Sequence, residues 1–500
     1  MRKTTLIAPL LLLAPMLATA QQTEKVDLTS IHRIKDEALG RNSKVMDHMF
    51  YLTDANGPRL TNSKGFRAAG EWAVTRLKEY GLTNVHLEKW GPFAKGWNLE
   101  SYSGHMIAPM YQPIIAMPLA WTPGTDGVVT GEPVLVSTQT QEELDKFKGK
   151  LAGKIVLISP KRELQMVTTP LGTRYTDAEL ADITTAQIQL PGLFGGRGGG
   201  RGGRGGPGAG GLTPMAIQTF LKAEKPALVI QVSNNGDGGT LFGGGANRDA
   251  SDNLPTLVMA AEHYNRIARL IEHQIPVKLQ FEVKASFDNN TDSFNVIAEI
   301  PGTTKKDELV MVGGHFDSWH YGTGATDNAA GSAIAMEVMR VIKTLDLKPE
   351  RTIRMALWGG EEQGLLGSRA YVKEHFADPA TMKPTAEHEK VAGYFNIDNG
   401  TGKIRGIYLQ GNDMVRPIFE QWLAPFKDLG ANTITARNTG GTDHQSFDGV
   451  GLPGFQFIQD TMDYNTRTHH SNMDVYDRIQ PTDLMQMSAI EGSFVYLTAM

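Results

Sequence analysis

Between Leu309 and Ser332 the chain reads LVMVGGHFDSWHYGTGATDNAAGS, placing His315, Asp317 and Asp327 just beyond a short apolar run. Further acids, Glu361, Glu362 and Asp398, and the pair His469–His470 follow other apolar runs downstream. A lone residue of this kind is ordinarily an exposed loop acid or a satisfied histidine, and His32, His48, His105, His263, His273, His375 and His388 are read that way. Acids and imidazoles that recur at the ends of several core strands are different. Gathering like charges is costly without a cation to neutralise them. Imidazole with carboxylate but no thiolate suits zinc, and the chain has no cysteine. His315 and His470 with Asp327, Glu362 and Asp398 provide ligands for two four-coordinate ions that share one carboxylate and one water. The adjacent Glu361 and Glu362 fit a division of labour, one acid on the metal and its neighbour free to take a proton. A positioned base of that kind contributes roughly 10²–10⁴-fold.

The elements that must hold these residues read as an α/β domain. Phe294–Ile300, Leu309–Gly313, Ile353–Trp358, Tyr394–Ile397 and Phe455–Ile458 are strand-like runs with helical patterns between most of them. That rhythm predicts a mostly parallel mixed sheet covered by helices on both faces. Ligands of such sheets gather beyond the carboxyl ends of the strands. Upstream, residues 43–90 read as helix, loop, helix and strand, with a helical face over Phe66–Tyr80. From about Ala120 the texture changes to short strands and turns. We therefore divide the chain into residues 21–124 as the N-terminal part of the α/β domain, 125–288 as an inserted β-rich module, and 289–500 as the main part. Within the insert, residues 192–211 read GLFGGRGGGRGGRGGPGAGG. Its three arginines resemble an RGG-type RNA-binding segment. Glycine dominates, however, and a flexible surface loop is the preferred reading.

The formal charge is −5 and is spread along the chain, which provides no electrostatic case for nucleic acid. Residues 1–20 have the form of a cleaved signal peptide: Arg2 and Lys3, an apolar centre from Leu6 to Leu17, and an Ala18-Thr19-Ala20 cleavage site. The apolar part falls short of the ~20 residues that span a bilayer. Without cysteine there are no disulfides, thiol nucleophiles or lipidated anchor. These features predict an exported periplasmic or extracellular protein with no stable membrane insertion.

The chain resembles the zinc exopeptidases of metallopeptidase family 28, and within them the plasma glutamate carboxypeptidase, or carboxypeptidase Q, branch. LTDANGPRLTNS resembles the family's opening, the inserted module its protease-associated domain, and DSFNVIAEIPG followed by GGHFDSW that branch in particular. The resemblance implies the aminopeptidase-like fold and two Zn²⁺ ions per chain. It implies that Asp327 bridges the ions, that His315 and Asp398 complete one site, and that Glu362 and His470 complete the other. Glu361 is then the general base, Asp317 hydrogen-bonds and orients His315, and the Asp327–Asn328 peptide is cis. Many family members carry a tyrosine just before the last histidine. Here that place is taken by His469, as in the carboxypeptidase Q branch, and we expect it to donate a hydrogen bond to the oxyanion. GGTDHQSF resembles a loop beside the substrate cleft, which puts Asp443 and His444 either along the cleft or in a purely structural role. The arginines that read a C-terminal glutamate in glutamate carboxypeptidase II have no counterpart here.

The function expected is therefore hydrolysis of short peptides as an aminopeptidase or dipeptidase, by attack of a zinc-bridging water with Glu361 as base. The partner is a peptide, and a homodimer is compatible with relatives that often dimerise. Two alternatives remain open: an inactive receptor-like binding protein on the same fold, and a single-zinc glutaminyl cyclase-type transferase. The complete ligand set argues against the first, and retention of both His315 and Asp398 against the second. No G-x-S-x-G elbow points to a serine hydrolase.

Overall fold

A computed structural model describes residues 24–185 and 212–500. The expected signal peptide and the glycine- and arginine-rich segment 192–211 lie outside the described residues. The main domain is an eight-stranded mixed sheet. In chain order its strands are β1 (Thr83–Trp90), β2 (Ser293–Ile300), β3 (Lys305–His315), β4 (Arg351–Trp358), β5 (Val391–Asn396), β6 (Ile404–Tyr408), β7 (Thr433–Thr435) and β8 (Gly454–Gln459). Across the sheet the order is β1-β2-β4-β3-β5-β8-β6-β7. The central strands β4, β3, β5 and β8 are mutually parallel. The outer pairs β1–β2, β2–β4 and β8–β6 are antiparallel.

The apolar run in β3 follows from burial on both sides. Val310 and Val312 face one core, while Leu309 and Met311 face another. Strand β4 splits likewise, with Ile353, Met355 and Leu357 on one face and Ala356 and Trp358 on the other. A strand covered on both faces loses the polar alternation of a half-exposed one. Helices Ala330–Thr344 and Pro481–Ala499 cover the first face together with Leu28–Leu39, and Leu366–His375 covers the second. Among the described residues no helix is long and apolar enough to cross a membrane.

Further strands lie outside the eight-stranded sheet. Strand Gly96–Ala108 pairs antiparallel with Lys278–Asp288 in a four-stranded sheet separate from the eight-stranded one. Polar residues such as Asn98, Glu100, Ser101 and Ser103 hide this strand, because one of its faces is largely exposed. A five-stranded sheet, including Ile155–Leu157, Leu228–Val232 and Thr256–Met259, completes the insert. Both sheets share one core containing Met106, Phe281, Ile230 and Leu257. Two stretches of the insert reach back to the main domain. Thr173 forms a bridge with Met462, and Phe242 one with Ser471.

Candidate metal centre

The ends of the four parallel strands converge. His315 closes β3. Gly359 and Gly360 turn the chain from β4 into Glu361 and Glu362, and Asp398 stands two residues past β5. His469 and His470 end the loop after β8. Asp327 comes from the segment entering helix Ala330–Thr344, and its peptide with Asn328 is cis. The Asn328 amide donates to the Ile397 carbonyl at 2.7 Å and accepts from Gly331 N at 2.9 Å. This crossing passes so close to Gly331 that a Cβ there would run into the Ile397 carbonyl.

Asp327 sits at the centre, with one oxygen facing each half of the cluster. Its Oδ1 lies 3.2 Å from His315 Nε2, and that nitrogen is 3.1 Å from Asp398 Oδ1. Its Oδ2 lies 3.3 Å from His470 Nε2, and that nitrogen is 2.8 Å from Glu362 Oε2. Two groups with metal-ligand spacing result, Asp327–His469–His470 and His315–Asp327–Glu362, each with ligand atoms within 4.8 Å of one another. Glu361 Oε2 stands off at 4.0 Å from His315 Nε2. His469 Nε2 is 3.8 Å from Asp327 Oδ2, and the His469 ring stacks on Tyr464 at 4.7 Å.

The donors fit a divalent cation. Asp327 Oδ2 and Glu362 Oε1 are buried without a hydrogen-bond partner among the described residues, and such orphans call for a cation or water. Burial pushes Glu361 well above the ordinary carboxylate range; His315 opposes it, and Asp398 and Asp443 add to it. Burial and then Asp327 do the same to Glu362. Burial alone would lower His315, but Asp398 and Glu361 outweigh it and raise the imidazole well above its usual value. Ionised together, these carboxylates need positive charge between them. Imidazole and carboxylate donors in this arrangement provide sites for it.

Over residues 295–495 the sequence matches the model of peptidase family M28. Carboxypeptidase Q from Mus musculus is 26% identical over 449 residues, covering 90% of this chain and 84% of the relative. Carboxypeptidase Q from Homo sapiens is 26% identical over 453 residues, covering 91% and 84%. Among solved structures, a peptidase M28 precursor from Shewanella amazonensis SB2B has a TM-score of 0.66 at 25% identity, covering 94% of this chain and 96% of that one. The zinc aminopeptidase BSAP from Bacillus subtilis has a TM-score of 0.57 at 18% identity, covering 90% and 94%, and shares the fold.

Asp317 meets His315 through both its backbone and its carboxylate. His315 Nδ1 is 3.0 Å from the Asp317 backbone carbonyl and 3.7 Å from its carboxylate. The carboxylate also accepts from Glu361 N at 3.0 Å, Glu362 N at 3.3 Å and Thr61 Oγ1 at 2.8 Å. It therefore fixes the backbone of the glutamate pair. Asp443 is buried, and burial raises it to about 7; it lies near enough to Glu361 to affect that group. His444 is buried against the Thr439 carbonyl at 3.2 Å, and burial lowers it to about 4.

Sequence reasoning missed Arg59, which holds the ligands from a distance. The buried Arg59 guanidinium donates to the carbonyls of Leu52, Phe316, Thr323 and Gly324, pinning the segments that lead to Asp317 and Asp327. Asp474 accepts from Thr326 N at 2.6 Å and Asp327 N at 3.2 Å. Arg59 lies in the stretch that resembles the family's opening, but nothing in its local spacing marks it as buried.

Proposed function

We propose that the protein is an exported di-zinc exopeptidase that hydrolyses short peptides as an aminopeptidase or dipeptidase, with an insert of the protease-associated type. The observation that carries this reading is the division of Asp327, with Oδ1 toward His315 and Oδ2 toward His470. His315 and Asp398 would hold one ion, Glu362 and His470 the other, and Asp327 both. Zinc bound there supplies a Lewis acid that polarises the scissile carbonyl and makes water more acidic.

The chain's own groups do the rest. Glu361 stands clear of the ligand positions at 4.0 Å from His315. It takes the proton from the attacking water and returns it to the leaving amine. Asp317 holds the Glu361 and Glu362 amides, which sets where that carboxylate points. His469, stacked on Tyr464, directs an N–H toward the oxygen that gains charge in the transition state. The similarity to carboxypeptidase Q over most of the chain supports an exopeptidase on this site.

Profiling free and N-acetylated dipeptides with zinc-loaded enzyme tests the reading. We expect free-amine substrates to be preferred and His469→Ala to lower kcat. Equal cleavage of acetylated substrates would overturn the aminopeptidase assignment. An unchanged kcat in His469→Ala would overturn the oxyanion role.

A further inference from the structure

His470 is the one expected metal ligand with a positive φ. Its φ is 60°, in the left-handed region that residues with a Cβ rarely occupy. Its imidazole is also 35% exposed, against 1% for His315. A conformation of this kind persists when its surroundings over-determine it. Here part of those surroundings comes from the insert. Gly243 N donates to the His470 carbonyl at 3.1 Å, and Phe242 pairs with Ser471 as an antiparallel bridge. Asn472 closes the contact with three hydrogen bonds. Its Oδ1 accepts from Leu241 N at 2.7 Å, its Nδ2 donates to Gly239 O at 3.2 Å, and its own N donates to Leu241 O at 3.1 Å.

The glycines that follow permit this approach. A Cβ on Gly243 would run into the Tyr321 ring, and one on Gly245 into the indole of Trp121. Trp319, lying against that glycine run, meets the His470 ring edge-on at 6.1 Å. A backbone contact from the insert, and a main-domain ring packed against its glycine run, thus reach the same histidine.

We infer that the strap Gly239–Gly245 is a positioning element for His470, so that the half of the metal centre made by Glu362 and His470 is completed by the insert. The inference rests on the two-ion reading above. It makes zinc binding and strap docking mutually dependent, because a ligand that favours one arrangement must be favoured by it in return.

Titrating metal-free protein with zinc ion against a competing chelator tests it, comparing wild type with Asn472→Ala, Gly243→Ala and His470→Ala. In the first two variants one zinc equivalent should weaken by roughly 10–100-fold, the size typical of lost support around a ligand, while the other keeps its affinity. It should be the equivalent that His470→Ala removes. Amide hydrogen exchange over residues 239–245 should be slower with zinc than without. Unchanged affinities in both variants, or exchange indifferent to zinc, would overturn the inference. So would equal weakening of both equivalents with a lowered unfolding midpoint, which marks general destabilisation. A single equivalent in wild type would overturn the two-ion reading instead. The strap would then stand or fall on whether that equivalent weakens in both variants.

Discussion

The two halves of the proposed metal centre are built differently. His315 and Asp398 belong to the ends of adjacent parallel strands, and both side chains are almost fully covered. Their partners lie within the main domain, such as Ser332 of helix Ala330–Thr344, whose Oγ donates to the His315 carbonyl at 2.7 Å. His470 lies on a loop, half-open to solvent, in a left-handed conformation held by a separate unit. Only its partner Glu362 rests on the sheet, through Asp317. A group fixed by packing on both sides is already in place for a ligand. A group on a loop must be ordered against conformational entropy.

The largest effect tests whether the base belongs to neither half. Glu361→Gln should lower kcat by about 10²–10⁴-fold while both zinc equivalents remain, read by turnover and metal analysis. Loss of zinc with activity would make Glu361 a ligand and redraw the comparison. Next, Asp317→Asn should weaken zinc binding or activity by roughly 10–100-fold, since the carboxylate holds the amides of both glutamates. A loss confined to kcat would place its influence on Glu361, and one confined to zinc affinity on Glu362.

A smaller difference separates the halves directly. The single ion left in His470→Ala should bind on the order of ten-fold more tightly than the one left in Asp398→Ala, as measured by dialysis against graded chelator. Equal affinities would mean that the loop is as well ordered as the sheet. The smallest effect lies away from both halves, at Glu491 in the terminal helix, whose two carboxylate oxygens are buried without partners among the described residues. Burial raises it well above its ordinary value. Stability from such a group is full below its unfolded pKa, about 4.3, and is lost as pH rises toward its folded value. Glu491→Gln should therefore raise the unfolding midpoint relative to wild type by more at pH 8 than at pH 5, with zinc binding unchanged. An equal shift at both pH values would show that Glu491 is not held neutral.

How much was legible follows the same division. Strands β3, β4, β5 and β8 were readable because residues facing two cores make continuous apolar runs. The polar face of Gly96–Ala108 concealed that strand. Strands Ile404–Tyr408 and Thr433–Thr435 were not anticipated either. They are short, and glycine and threonine leave little pattern to read.

The sequence by itself determined the inventory: which acids and imidazoles stand just past core strands, and that no thiol competes with them. Side-chain type and strand periodicity are local properties. The tertiary structure decided their geometry. It turned the two oxygens of Asp327 to opposite halves, gave Asp317 to the glutamate amides, and placed Arg59 and the strap Gly239–Gly245 against segments far away in the chain. Such contacts join residues through backbone carbonyls and amides, which every residue carries. Their pairing becomes visible only when the chain has folded.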